Sequence, residues 1–215
     1  PPRYMKLVEI IPGEETKKEV IEYLTRFCED VLGKGVVVCK DVPNFIANRI
    51  GVFDMSNAMN LMLAKGMKVE DIDAIISAPL GRPRSAIFGT IDLVGLDTAY
   101  HVMTNLYEAL PKDESRDLFM PPDFVKAMIQ KKWLGNKTKG GFYKKSKDAK
   151  GKKLKLAIDV KTLDYVPAGK PKFESVGAAK KSEAPVEKTV RMVFNGKDAA
   201  AELAREYLCN NFIYA

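Results

Sequence analysis

The amino-acid sequence predicts a mainly α-helical protein: a helical bundle entered through one strand–helix–strand unit. Three observations predict it. Two short apolar runs, residues 5–11 and 36–39, flank a single helical pattern, which is the size of one α/β crossover. From Phe45 to Lys132 the apolar residues then recur every three or four positions, the period of amphipathic helices. The 215 residues are 46% hydrophobic, enough for one good core or two small ones.

The elements follow in order. Met5 to Ile11 reads as a strand, stopped by Pro12-Gly13. Thr16 with Glu19 three residues later reads as a capping box. It opens a helix with Val20, Ile21, Leu24, Phe27, Cys28, Val31 and Leu32 at helical spacing, ended by Gly33. Val36 to Cys39 is β-branched and apolar, the pattern of one buried strand. Two strands and one helix bury too little to stand alone, so this unit is expected to close a sheet whose other strands lie upstream. Pro43 then biases Val42 toward extended geometry.

Phe45, Arg49, Val52, Ser56, Met59 and Leu63 mark a long amphipathic helix, closed by Gly66 in a left-handed conformation. Asn48 and Arg49 fall in its first turns. A polar pair just inside a helix that leaves a buried strand end is where α/β proteins put ligand-facing groups. Residues 67–77 read as a short helix with acids in its first turn, and Pro79 to Pro83 as a loop. Residues 85–110 read as another long helix carrying His101, the single histidine, as a packed or surface residue. Pro121-Pro122-Asp123 opens a shorter helix to Lys132 with Phe124, Val125, Met128 and Ile129 inward.

Residues 144–166 alternate weakly, Leu154, Leu156, Ile158 and Val160 sharing one face, and read as a hairpin turning at 148–151. Residues 167–187, rich in Pro, Gly, Ala, Lys and Ser, read as a linker. Asn195 to Asp198 caps a last helix running through Phe212, which packs either on its own chain or on a neighbour.

Composition bounds the function. No apolar run approaches the roughly 18 residues of a membrane span, and the start lacks a charged-then-apolar signal pattern. Cys28, Cys39 and Cys209 are scattered in apolar contexts and read as reduced core residues of a cytoplasmic protein. No metal site is predicted. The chain opens on Pro1-Pro2 without a Met and closes inside a helical pattern, so it is expected to be a fragment of a longer polypeptide. The net charge of +7 is concentrated in lysines 131, 132, 137, 139, 144, 145, 147, 150, 152, 153 and 155. Only Trp133, Phe142 and Tyr143 interleave with them and no nucleic-acid motif accompanies them, so no nucleic-acid partner is expected.

Asp41-Val42-Pro43-Asn44-Phe45-Ile46-Ala47-Asn48-Arg49 resembles the D-x-P-G-F-x-x-N-R segment of the L-3-hydroxyacyl-CoA dehydrogenases. Asn44 stands where that family has Gly, and Asn is the residue that best replaces Gly at positive φ. Residues 1–9, ending Met5-Lys6-Leu7-Val8-Glu9, are similar to the end of the family's H-F-F-N-P-x-x-x-M-K-L-V-E segment. Asp92-Leu93-Val94-Gly95-Leu96-Asp97-Thr98 is similar to its D-x-V-G-L-D-x helix. Trp133 to Tyr143 resembles its G-x-K-T-G-x-G-F-Y closing segment, with Lys139 for a Gly. The loop spelling from Arg82 to Thr90 resembles the longer members fused to an enoyl-CoA hydratase domain.

The resemblance covers residues 1–143 and implies an NAD-dependent oxidation of 3-hydroxyacyl-CoA to 3-oxoacyl-CoA in fatty acid β-oxidation. It implies that 1–40 is the end of a Rossmann NAD-binding domain and 41–143 an all-helical substrate and dimerisation domain. That bundle would be of the 6-phosphogluconate dehydrogenase C-terminal-like kind. Residues 144–192 would be hairpin and linker, and 193–215 the first helix of a truncated second helical repeat. Glu9 matches the Glu that orients the family's catalytic His, itself lying before Pro1. Asn48 matches the Asn that binds substrate at the carbonyl oxygen, and Lys137 a Lys that reaches toward the cofactor. Alone, Glu9 is a carboxylate at a strand end, Asn48 a polar residue at a helix start and Lys137 a solvated lysine.

Most of the NAD site is expected upstream, and the fragment by itself is expected to be inactive. The lysine-rich stretch then reads as a solvated face or a docking surface for CoA phosphates. The competing reading is a non-catalytic helical oligomerisation module. The apolar faces of 45–65 and 90–110 are expected to exceed what a small chain can bury, which favours a homodimer on either reading.

Overall fold

A computed structural model describes residues 5–148 and 151–215. Residues 1–4 of the first motif, Lys150 and the middle of the turn at 148–151 lie outside the described residues. The protein falls into two compact units, one ending at Gly51 and one beginning at Val52.

In the first unit, strand β1 (Leu7–Ile10) and strand β2 (Gly35–Val38) pair in parallel, with Glu9 opposite Val37. Helix α1 (Lys18–Arg26) connects them and ends in a wider turn over Phe27–Val31. The capping box does not form. The helix is capped at Lys17 without a side-chain bond, because the Thr16 hydroxyl accepts from the Gly13 N–H at 3.0 Å and closes the preceding turn instead. β2 is not a buried strand: Val37 is 39% and Val38 53% exposed, since among the described residues β1 is its one ladder neighbour. Asn44 takes φ 61°, as the comparison with Gly requires, and Phe45 follows at φ 50°. Helix α2 (Ala47–Ala64) starts directly after this left-handed pair.

In the second unit the core gathers Phe53, Met59 and Met62 of α2 with Ile72 and Ile75 of α3 (Val69–Ile75). Phe88 and Ile91 of α4 (Phe88–Val94), Met103 and Leu106 of α5 (Leu96–Ala109), and Val125 and Met128 of α6 (Asp123–Gln130) complete it. Two helices, α4 and α5, replace the single helix expected over 85–110. The break is Gly95 at φ 109°, ψ 128°, a backbone geometry that only Gly adopts readily and that stops the hydrogen-bond ladder. The expected loop at 79–83 begins within a single 3-10 turn, Ala78–Leu80.

The hairpin is a three-stranded antiparallel sheet: β3 (Tyr143–Lys147), β4 (Lys153–Asp159) and β5 (Asp164–Pro167). The third strand was not read from the sequence because Lys161 to Leu163 look like one more turn of a polar loop. The linker reading of 167–187 is also corrected. α7 (Glu174–Lys181) lies within it and α8 (Val186–Phe194) starts inside it. Val176 and Ala179 are buried there, and Asp198 accepts from both the Ser175 N–H (2.9 Å) and the Ser175 hydroxyl (2.7 Å). Tertiary burial, not composition, makes this segment helical.

The last helix, α9 (Ala199–Tyr214), is capped by the Asp198 side chain and packs on its own chain. Tyr207 donates to Asp54, Arg82 pairs with Asp54, and Tyr214 stacks on Phe53 at 3.9 Å between ring centres. Nine residues of α2 from Val52 to Met62 are buried in this way, so its apolar face is covered by the chain itself. The same holds for Leu96, Ala99, Met103 and Leu106 on α5, which accounts for much of the apolar area argued from the sequence, while Leu63 on α2 and Leu93 and Val94 on α4 stay exposed. Cys28 and Cys39 are buried, but Cys209 is exposed: its position on α9 faces away from Leu203, Ala204 and Tyr207. Among the described residues no helix is long and apolar enough to cross a membrane.

Candidate functional site

Glu9 sits in β1 and Cys39 just past β2, one strand apart in the parallel ladder, where the Cys39 N–H bonds to the Ile10 carbonyl at 2.8 Å. The chain then crosses Pro43, passes through the left-handed Asn44 and Phe45, and enters α2. That path brings the first amides of the helix onto the Glu9 carboxylate. Oε1 accepts from the Ala47 N–H at 2.8 Å and Oε2 from the Ile46 N–H at 3.0 Å. The Cys39 thiol lies 3.6 Å from Oε2 and 3.6 Å from the Val37 carbonyl, and its one hydrogen serves either acceptor.

Amides at the start of a helix have no intrahelical partner, and a carboxylate suits the positive end of the helix dipole. The Ile46 N–H is the main cause holding the Glu9 carboxyl below its ordinary range. It acts with the Ala47 and Cys39 donors against partial burial. Burial, and the neighbouring Glu9, push the Cys39 thiol up. The result is an ionised carboxylate beside a neutral thiol. Asn48 follows Ala47 directly; it is exposed and makes no side-chain hydrogen bond among the described residues.

Lys137 belongs to the second unit, in a 3-10 turn over Asn136–Thr138. Its ammonium pairs with Asp97 Oδ1 at 2.5 Å, and that bond is the main cause holding the Asp97 carboxyl down. The pair ties the closing segment to the first turn of α5. His101 is exposed on α5, with its ring edge-on to Tyr100.

The sequence reading missed a pair of acids, Asp92 buried and Asp73 half-buried. Asp92, 3% exposed, accepts from the Phe142 and Tyr143 N–H groups, both at 2.8 Å. Asp73 accepts from the amides of Ile87, Phe88 and Gly89 at the start of α4 and from the Tyr143 hydroxyl at 2.8 Å. Burial pushes the Asp92 carboxyl up to about 6, resisted by its two amide donors and reinforced by Asp73. These bonds explain why two motifs distant in sequence belong together: Asp92 opens one and Phe142-Tyr143 closes the other. A β-carbon on Gly141 would lie 2.1 Å from Asp92 Oδ1, so the closing segment needs Gly there. The pairing of motifs was the available signal, and it marks a structural clasp. An open cavity of about 400 Å³ borders Phe53, Asn57, Leu118, Asn210, Ile213 and Tyr214; neither Glu9, Asn48 nor Lys137 lines it.

Comparison with known proteins accounts for most of the chain. Residues 1–42 match the 3-hydroxyacyl-CoA dehydrogenase NAD binding domain, and residues 45–145 match the 3-hydroxyacyl-CoA dehydrogenase C-terminal domain. A Bacillus subtilis protein named "Probable 3-hydroxyacyl-CoA dehydrogenase" is 40% identical over 215 residues, which is 100% of this chain and 26% of that protein. The mitochondrial hydroxyacyl-coenzyme A dehydrogenase of Mus musculus is 38% identical over 140 residues, 65% of this chain and 43% of that protein. The crystal structure of (S)-3-hydroxybutyryl-CoA dehydrogenase from Ralstonia eutropha superposes with a TM-score of 0.55 at 28% identity. It covers 65% of this chain and 47% of that one. The chain thus spans between about a quarter and a half of the length of these relatives.

Proposed function

This chain belongs to the 3-hydroxyacyl-CoA dehydrogenase family, and from that premise we propose that it forms part of an NAD-dependent enzyme oxidising L-3-hydroxyacyl-CoA to 3-oxoacyl-CoA in fatty acid β-oxidation. The observation that carries the reading is the bonding of Glu9 to Ile46 and Ala47, next to Asn48. It gathers two residues of the proposed site at one strand end. Oxidising the alcohol requires removal of the hydroxyl proton while hydride leaves carbon 3. Glu9, ionised, holds the imidazole of the base in one tautomer and steadies its charge once protonated. Asn48 offers an amide N–H to the oxygen that becomes the carbonyl.

NAD, when bound, accepts the hydride. Lys137 fits its diphosphate or ribose edge: an ammonium has three N–H donors, Asp97 takes one, and the side chain is 46% exposed. In this reading residues 41–143 form a bundle of the 6-phosphogluconate dehydrogenase C-terminal-like kind, and α9 opens a second helical repeat. The match of the Bacillus relative along the whole chain, within a protein about four times as long, supports a member of the longer, fused type. The protein acts as a homodimer in the cytosol. Exposed Leu93, Val94, Phe212 and Ile213 support the first point and three free cysteines the second. The 215 residues by themselves turn nothing over, their single histidine being the exposed His101.

The test is NADH formation by the full-length protein with short and long L-3-hydroxyacyl-CoA, for wild type, Glu9→Gln and Asn48→Ala. Each variant loses turnover by orders of magnitude while remaining folded. Wild-type rates in both would sink the assignment. Light scattering checks the homodimer, a concentration-independent monomer counting against it.

A further inference from the structure

The Glu9 carboxylate is more fully occupied than orienting one imidazole requires. Two oxygens offer about four acceptor positions. Ile46 takes one on Oε2 and Ala47 one on Oε1, the Cys39 thiol lies 3.6 Å from Oε2 and equally from the Val37 carbonyl, and Oε1 keeps a free position. Two of these donors are the backbone amides just ahead of Asn48. The Asn48 side chain has no hydrogen bond of its own among the described residues, so its amide stands wherever the backbone at 46–47 puts it. That backbone leaves a strained left-handed pair, Asn44 at φ 61° and Phe45 at φ 50°. Such a conformation persists only where its surroundings over-determine it.

We propose that Glu9 is a positioning residue for Asn48: it clamps the first turn of α2 to the end of β1 and so sets the place of the amide. This rests on the function proposed above. One carboxylate then registers two groups of the same site, the base through its free acceptor position and the amide donor through Ile46 and Ala47. The arrangement makes physical sense because a misplacement of about 1 Å can cost on the order of a hundredfold in rate. The strand end is itself held by the ladder between β1 and β2, so the reference point is rigid. Glutamine cannot replace the carboxylate here. Its NH2 would face one of the two amide donors, leaving that N–H without an acceptor.

The test is a double-mutant cycle in the full-length enzyme, reading NADH formation for Glu9→Gln, Asn48→Ala and the double variant. Amide hydrogen exchange at Ile46 and Ala47 is measured alongside. A clamp predicts that exchange at these two amides speeds up at least tenfold in Glu9→Gln. It also predicts that the double variant is no slower than the worse single one. The loss in Glu9→Gln falls on kcat, with KM changed less than threefold. Glu9→Asp, which keeps the charge but is one methylene shorter, shows the same exchange signature in weaker form and serves where Glu9→Gln does not fold. If exchange is unchanged and the two losses multiply, Glu9 acts through the base alone and the clamp is overturned, while the proposed function stands. If neither single variant slows turnover, both are overturned.

Discussion

Asn44 occupies a left-handed backbone position with its Nδ2 buried and unbonded among the described residues. A β-carbon at such a φ costs about 1–2 kcal/mol for residues that cannot bond locally. Asn44→Gly therefore leaves stability unchanged or raised, and Asn44→Val lowers it by about 1–2 kcal/mol in urea unfolding. Asp92 makes a second prediction at this scale. Its folded carboxyl titrates at about 6, above the ordinary 3.8. The folded state therefore holds the proton more tightly, and the contribution to stability is full below about pH 4 and is lost as pH rises to about 6. The loss is of order 2–3 kcal/mol. Asp92→Asn removes this pH dependence, so the stability advantage of wild type over the variant shrinks between pH 4.5 and 7 in chemical denaturation. A constant advantage would refute it. Glu9 and Asn48 were legible as residues from their motifs. The bonds from Glu9 to Ile46 and Ala47 were not, because hydrogen bonds across 37 and 38 positions leave no local pattern.

Elements are where sequence and structure part most. Helix periodicity found α2, α6 and α9 because each has a wide buried stripe or a clear cap. It ran α4 and α5 together, since Asp92 to Thr98 continues the apolar period through Gly95. It read α7 as linker because eight residues with two alanines, a glycine and three charges carry no stripe of their own. The clasp between α4 and the closing segment gives the element-scale prediction. Gly141→Ala forces its β-carbon against Asp92 Oδ1 and the Gly135 Cα at 2.5 Å, and destabilises the second unit by about 2–4 kcal/mol, seen as a lower Tm. Asp198→Ala removes the cap of α9 and both bonds to Ser175. It costs about 1–2 kcal/mol, with faster amide exchange in α7 as well as at the start of α9.

For the whole molecule, α9 closes the core of the second unit. It brings Leu203, Ala204 and Tyr207 under α2, and Lys65 of the loop after α2 pairs with its Glu206 at 2.8 Å and Glu202 at 3.3 Å. Asp54 is 6% exposed and shares Arg82, Tyr207 and Asn211 as partners. Ending the chain before Ala199 strips Asp54 of two of those partners and uncovers Phe53. The shortened protein then unfolds with a broadened transition and binds a hydrophobic dye in the absence of denaturant. Sharp two-state unfolding of that variant would show that the unit does not need its last helix.

The mainly helical class, the strand–helix–strand entry, the family and the identity of the residues proposed to act were all legible in the amino-acid sequence. These follow from short-range causes: apolar period, Pro and Gly punctuation, and motif spelling. Tertiary contacts account for the rest: Gly95 breaks a helix, 174–181 is helix rather than linker, α9 covers the buried side of α2, and Glu9 closes on the start of α2. Each of these depends on contacts between segments many residues apart. Burial and hydrogen bonding supply the free energy that local preference lacks, and neither is written within any window of the chain.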